Sequence, residues 1–143
     1  MKTDFIKFLK EHIGMNTNEH IAGFGGWLNG SLESVSDEGD LVLNFKVREE
    51  MLNPMGTIHG GALASILDEM MGMQLFVKSG ESDAYFAMNI VVDFVKNAKF
   101  GESLTAKPEL IRMGRTTANL RCTLFNEKGD IVAHGSSNFL KVS

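Results

Sequence analysis

Asp68 is a carboxylate inside an otherwise apolar helical run, and eight residues before it stands Gly60, in the triplet His59-Gly60-Gly61. An ionised carboxylate in such surroundings is costly unless a partner or a substrate uses it. Glycine amides at a helix start expose N–H groups that the helix leaves unpaired. Together with the helix dipole they favour developing negative charge, which is what acyl transfer requires. A carboxylate can activate water or attack a carbonyl directly. Each feature also has a plainer reading. Asp68 would be satisfied by a backbone amide or by another chain, and the glycines would let a helix pack closely on a sheet.

In helical projection Asp68 shares its face with Gly61, Ala64, Ser65 and Gly72, the smallest side chains of the run. Small neighbours leave room for a ligand or a second helix. Gly60 and Asp68 are separated by about 12 Å along a helix axis. A reacting carbonyl needs its donor and its base each within about 3 Å or one water. One chain therefore cannot offer both to the same carbon, whereas two antiparallel copies related by a two-fold axis can. If the pair is catalytic, the protein is at least a dimer. Glu69 lies about 100° further round the helix and cannot face the same site; it reads as a rim or interface charge.

The elements that must position these groups follow from periodicity. Phe5, Ile6, Leu9 and Ile13 have helical spacing, with Lys2, Lys7, Lys10 and Glu11 opposite, so residues 1–15 are expected to form an amphipathic helix that ends at Gly14 and serves as a lid or an oligomer contact. Residues 16–143 form the remaining single domain. A glycine-rich loop leads to a strand expected around Trp27 to Ser34, and Asp37 to Gly39 reads as a turn. Leu41, Leu43, Phe45 and Val47 alternate with polar or smaller residues in a half-buried strand. Glu49 to Ile58 is a loop, marked by Asn53-Pro54 and Gly56. Gly60 to about Lys78 is the one long helix, apolar nearly all round and therefore buried. Strands follow over Tyr85 to Phe94, Ser103 to Met113, Thr116 to Asn126 and Ile131 to Val142. Pro108 cannot donate to a ladder and is expected at an edge or bulge. The fold class is α+β, a curved antiparallel sheet around a long central helix.

Composition narrows the functions. The 143 residues carry a formal charge of −4 and no basic patch interleaved with aromatics, which argues against nucleic acid as a partner. No apolar run is long enough to span a bilayer, and the N-terminus is not a signal peptide, so a cytoplasmic protein is expected. The single Cys122 rules out an internal disulfide and reads as a small core residue. His12, His20, His59 and His134 lack metal-ligand spacing, so no metal is expected. Met51, Met55, Met70, Met71, Met73 and Met88 suggest core or an adaptable apolar pocket.

Asn53, His59-Gly60-Gly61 and Asp68, followed by Met88-Asn89-Ile90 and by Gly114-Arg115-Thr116, together resemble the hotdog-fold acyl-CoA thioesterases of the PaaI-like, phenylacetate-degradation type. The resemblance covers roughly residues 16–142. It implies hydrolysis of an acyl-CoA thioester with a hydrophobic or aryl acyl group, without a cofactor, because coenzyme A belongs to the substrate. It implies that Asp68 is general base or nucleophile, that the Gly60 N–H of the facing subunit polarises the carbonyl, that Asn53 assists from the loop and that His59 holds that loop. Gly61, Tyr85, Met88, Asn89, Arg112, Gly114, Arg115 and Thr116 are implied to contact substrate or CoA, with arginine suited to phosphate. Lys96, Asn97 and Lys99 read as a solvent-facing strand end. Relatives often carry Ser or Thr where this chain has Tyr85, which puts the water-positioning step in question. The implied assembly is a dimer or a dimer of dimers. The alternatives are an acyl-CoA-binding domain without turnover, or an acyl-CoA hydratase or dehydratase.

Overall fold

The computed structural model describes residues 2–80 and 83–142; Met1 and Ser143, the outer ends of the two expected segments, lie outside them. In chain order the elements are α1 (Lys2–Glu11), a single turn at Thr17–Glu19, α2 (Gly23–Leu28), β1 (Ser31–Val35), β2 (Leu41–Lys46), a turn at Glu49–Met51, α3 (Gly60–Ser79), β3 (Tyr85–Phe94), β4 (Ser103–Met113), β5 (Thr117–Phe125) and β6 (Ile131–Lys141). The strands form one antiparallel sheet in the order β1-β2-β4-β5-β6-β3. α3 packs against β3, β4, β5 and β6. This is the hotdog fold, a curved sheet wrapped on a long helix.

α3 forms because it is apolar on nearly every side. Leu63, Ile66, Leu67, Met70, Met71, Leu75 and Val77 are all buried, at about 1.5–3 kcal/mol for each large side chain. The sheet answers with alternation. Leu41, Leu43, Phe45 and Val47 point inward from β2 and beyond, and Ala118, Leu120, Cys122 and Leu124 from β5. Gly135 of β6 lets the two layers close, since a Cβ there would lie 2.8 Å from the Val91 carbonyl oxygen and 3.3 Å from a Leu67 methyl. Gln74 is the buried polar residue of α3. Its Oε1 accepts from the Leu41 N–H at 2.9 Å and its Nε2 donates to the Gly39 carbonyl at 2.7 Å, pinning the β1–β2 turn.

Three expectations need correction or detail. Trp27 lies in a short helix, α2, and the strand begins only at Ser31. α1 ends at Glu11 rather than Gly14, and Ile13 beyond it is exposed. Pro108 sits in an interior strand, where it pairs with β5 opposite Cys122, but β2 pairs with β4 only as far as Ala106, so no donor is lost on that side. No described helix is long and apolar enough to cross a membrane.

Candidate active site

The start of α3 is held by the loop before it. Asn53 Oδ1 accepts from the N–H of Met55 (3.0 Å) and of Thr57 (3.2 Å), while Asn53 Nδ2 donates to Thr57 Oγ1 at 3.0 Å. Gly56, with φ of +81°, makes the tight turn between them. The loop's end is strapped on two sides, Ile58 N–H to the Ala98 carbonyl (2.8 Å) and His59 N–H to the Met51 carbonyl (2.7 Å). His59 then caps the helix: its Nδ1 accepts from the Gly61 N–H at 2.8 Å. A ring nitrogen that accepts is unprotonated, so this cap needs the neutral imidazole.

The cap decides which glycine amide is available. Gly61 is satisfied by His59, whereas the Gly60 N–H has no acceptor among the described residues. Gly60 lines an open depression of about 370 Å³ with Asn53, Ile58, Leu63, Phe94, Lys96 and Asn97. The Phe94 ring lies over it, since a Cβ at Gly60 would be 3.2 Å from Cζ. Asn53 thus sits beside the open amide but spends its carbonyl oxygen on its own turn. Lys96 pairs with Asp130 at 2.8 Å.

Asp68 occupies a different niche, of about 310 Å³, between Ala64 and Ser65 of α3 and residues 87–90 of β3. Ser65 Oγ donates to the Gly61 carbonyl at 2.7 Å, so its hydroxyl is committed to the helix. No hydrogen bond or ion pair reaches Asp68 among the described residues, and burial pushes its carboxyl above the usual carboxylate range. A lone carboxylate with a raised proton affinity is the state a base or nucleophile needs. Met88 and the backbone of β3 face it across the niche, where β3 bulges between Ala87 and Asn89. Asn89 is bound to that bulge: its Oδ1 accepts from the Asn138 N–H at 3.0 Å, in place of a ladder carbonyl.

The other expected contacts gather at one end of the sheet. Tyr85 pairs with Lys141, whose N–H donates to the Thr116 carbonyl at 2.8 Å. Gly114 turns the chain between β4 and β5, its N–H on the Thr117 carbonyl at 2.8 Å, and a Cβ there would be 2.9 Å from Arg112 Nη1. Arg112, Arg115 and Thr116 are exposed. Tyr85 is half-buried against the core and is not among the residues around Asp68. Asp68, Met88 and Asn89 are therefore brought together, Asn53, His59, Gly60 and Gly61 form a second group, and Arg112 to Thr116 with Tyr85 form a third.

Several residues stand elsewhere than the sequence reading put them, which gave Glu69 as a rim or interface charge and Lys96 and Asn97 as a solvent-facing strand end. Phe94, Lys96 and Asn97 border Gly60, and nothing in their spacing points there. Glu69, half-buried, is pushed above the usual range by burial and then by the neighbouring Asp68 charge. Its carboxyl lies against α2, where a Cβ on Gly25 would be 2.5 Å from Oε2. Cys122 is inert, its thiol pushed up to about 12 by burial. Among the described residues no three of His, Cys, Asp and Glu converge as metal ligands would.

The model of the thioesterase superfamily matches residues 55–133. Human acyl-coenzyme A thioesterase 13 is 31% identical over 99 residues, which cover 68% of this chain and 69% of the relative. The solved structure of the PaaI protein of the Escherichia coli phenylacetic acid degradation operon superposes with a TM-score of 0.81 at 22% identity, covering 99% of this chain and 96% of that one. A hypothetical thioesterase protein from Streptococcus pneumoniae, solved with coenzyme A, superposes with a TM-score of 0.74 at 24% identity, over 80% of this chain and 87% of that one. The chain belongs to the thioesterase superfamily, and within it the fold is of the PaaI-like hotdog type.

Proposed function

We propose that this chain hydrolyses an acyl-CoA thioester bearing a hydrophobic or aryl acyl group, releasing free CoA and a carboxylic acid. Asp68 takes a proton from water as the water oxygen attacks the thioester carbonyl carbon, or attacks that carbon itself to give a mixed anhydride that water then hydrolyses, freeing the acid and Asp68. The Gly60 N–H of a second copy stabilises the oxyanion as the C–S bond breaks and the thiol leaves. Coenzyme A is part of the substrate, and the reaction so written needs no cofactor. Arg112 and Arg115 supply cations for the CoA phosphates, with Gly114 and Thr116 shaping their turn. Asn53 assists at the carbonyl with its amide N–H, and His59 positions Gly60 by capping Gly61.

The observation that carries this reading is the pair of unsatisfied groups: an open amide at Gly60 and an unpaired carboxyl at Asp68, two turns apart on one helix. Both border β3, Asp68 across residues 87–90 and Gly60 beside Phe94. A copy added along β3 would bring one group of each chain towards the other's, as a dimer or within a dimer of dimers. The CoA held by the pneumococcal structure and the activity in the human relative's name support the substrate class.

A panel of acyl-CoAs with a thiol reagent tests it. Wild type is expected to release CoA and Asp68→Asn to lose that release. Tight acyl-CoA binding without turnover would make the chain a binding domain instead, and hydration of enoyl-CoA with saturated thioesters left intact would make it a hydratase.

A further inference from the structure

A cavity of about 560 Å³ lies under α1, apart from all three groups above. Phe8 and Leu9 of α1 roof it, Leu32 and Leu43 close the sheet side, and Gly72 and Met73 face it from α3. This volume falls within the roughly 300–1,000 Å³ of small-molecule sites. Its walls are apolar except at a few points, among them Glu69.

We propose that this cavity is the acyl compartment of the thioesterase site, entered over Gly72, and that Glu69 in its wall restricts it to uncharged medium-chain or aryl acyl groups. The inference rests on the reaction proposed above and names its substrate class. Gly72 follows Asp68 by one turn on the same face, about 6 Å along the axis. A Cβ at Gly72 would meet nothing within 4 Å. The helix surface at Gly72 is therefore open one turn from the carboxyl, and Gly72 itself lines the cavity. An acyl chain whose thioester carbon sits at Asp68 would reach the cavity by passing over Gly72, where the space beside the helix is open.

The roof is held at both ends. Phe5 meets Phe76 of α3 edge to face at 5.6 Å between ring centres, and Lys10 pairs with Asp37 in the β1–β2 turn. Glu69 lines the cavity with no cation or donor on its carboxyl among the described residues. A tail ending in a second carboxylate would set two like charges together with nothing between them. An apolar tail meets only the Glu69 stem and the surrounding hydrocarbon.

Two measurements test this. Calorimetry with the non-hydrolysable thioethers ethyl-CoA and decyl-CoA should give wild type a gain of at least about tenfold for the longer chain. Gly72→Val and Met73→Trp, which obstruct entrance and chamber separately, should each erase that gain. Each should also lower kcat/KM for decanoyl-CoA at least about tenfold more than for acetyl-CoA. Glu69→Gln should narrow the preference for hexanoyl-CoA over adipoyl-CoA. No chain-length gain in wild type, or equal losses for long and short substrates in both variants, overturns the compartment. An unchanged hexanoyl-to-adipoyl ratio in Glu69→Gln overturns the role of that residue. If no acyl-CoA is hydrolysed while the decyl-CoA gain persists and the variants abolish it, the proposed reaction falls and the compartment stands.

Discussion

The two edges of the sheet are finished differently. At β1 the chain covers its own edge: Gly14 N–H donates to the Leu32 carbonyl (2.8 Å), Leu32 N–H to the Met15 carbonyl (2.9 Å), and Thr17 N–H to the Gly30 carbonyl (2.8 Å). At β3 ten residues run along the outside with no further strand among the described residues. Phe86, Met88, Val91 and Phe94 are 51%, 48%, 58% and 58% exposed there. A long apolar open edge is a pairing template that soluble proteins rarely leave unmanaged. The unsatisfied groups of α3, Gly60 and Asp68, both border this open edge, while the α1-roofed cavity lies towards the closed one. In the proposed enzyme, chemistry belongs to the edge that assembly completes, and accommodation of the acyl group to the edge the chain completes itself.

The largest effect expected is at the open edge. Asp68→Asn should lower kcat about a thousandfold while self-association, measured by sedimentation velocity, stays unchanged. Equal activity in the variant would break the link between edge and chemistry. Val91→Lys places a charge in the β3 edge and should shift sedimentation towards monomer. With the facing Gly60 amide gone, activity should fall about a hundredfold, the usual cost of one oxyanion donor. A monomeric variant with full activity would show that one chain suffices.

On the closed side the expected losses are of stability. Leu28, in the helix that leads into β1, is fully buried. Leu28→Ala should cost about 2–5 kcal/mol in urea unfolding, with the association constant of the folded protein unaltered.

The smallest effect is a pH dependence. Burial raises the Asp68 pKa in the folded chain, so the folded state holds that proton more tightly than the unfolded state does. The penalty is absent in acid and sets in as pH rises from the ordinary carboxylate range through the raised value. Asp68→Asn should therefore gain stability relative to wild type across that rise, in urea titrations between about pH 4 and pH 7. The ascending limb of kcat/KM should likewise lie above the ordinary carboxylate range.

Much of the frame is legible in the residues because its causes are local. The glycine pair and Ser79-Gly80 bound α3, and strict alternation bounds β4 and β6 to the residue or nearly so. α2 is illegible for the opposite reason. Gly-Phe-Gly-Gly-Trp-Leu is a poor helix former, and its helix exists through tertiary contact, with Gly25, Gly26 and Leu28 buried. At the site, residue types and the Gly60-to-Asp68 spacing are readable, but orientation is not. That His59 engages Gly61 and leaves Gly60 open depends on where the Asn53 turn and the Ala98 strap place the imidazole. That Asn89 turns to Asn138 depends on a bulge that alternation alone hides. Tyr85 likewise, a substrate contact only by family resemblance, packs on the core once β3 is laid against β6.

Gly25 and Glu69 carry a consequence for how this chain can change over generations. A Cβ at position 25 would lie 2.5 Å from the glutamate's Oε2, so a side chain there must push the flexible carboxylate end aside; once position 69 is shortened, alanine at 25 is admitted without that shift. The two positions are therefore coupled: a lineage relaxing the charge at 69 gains freedom at 25, whereas one that starts at 25 moves the carboxylate at the cavity wall. A trait of the acyl compartment and the backbone of α2 are in this sense inherited together.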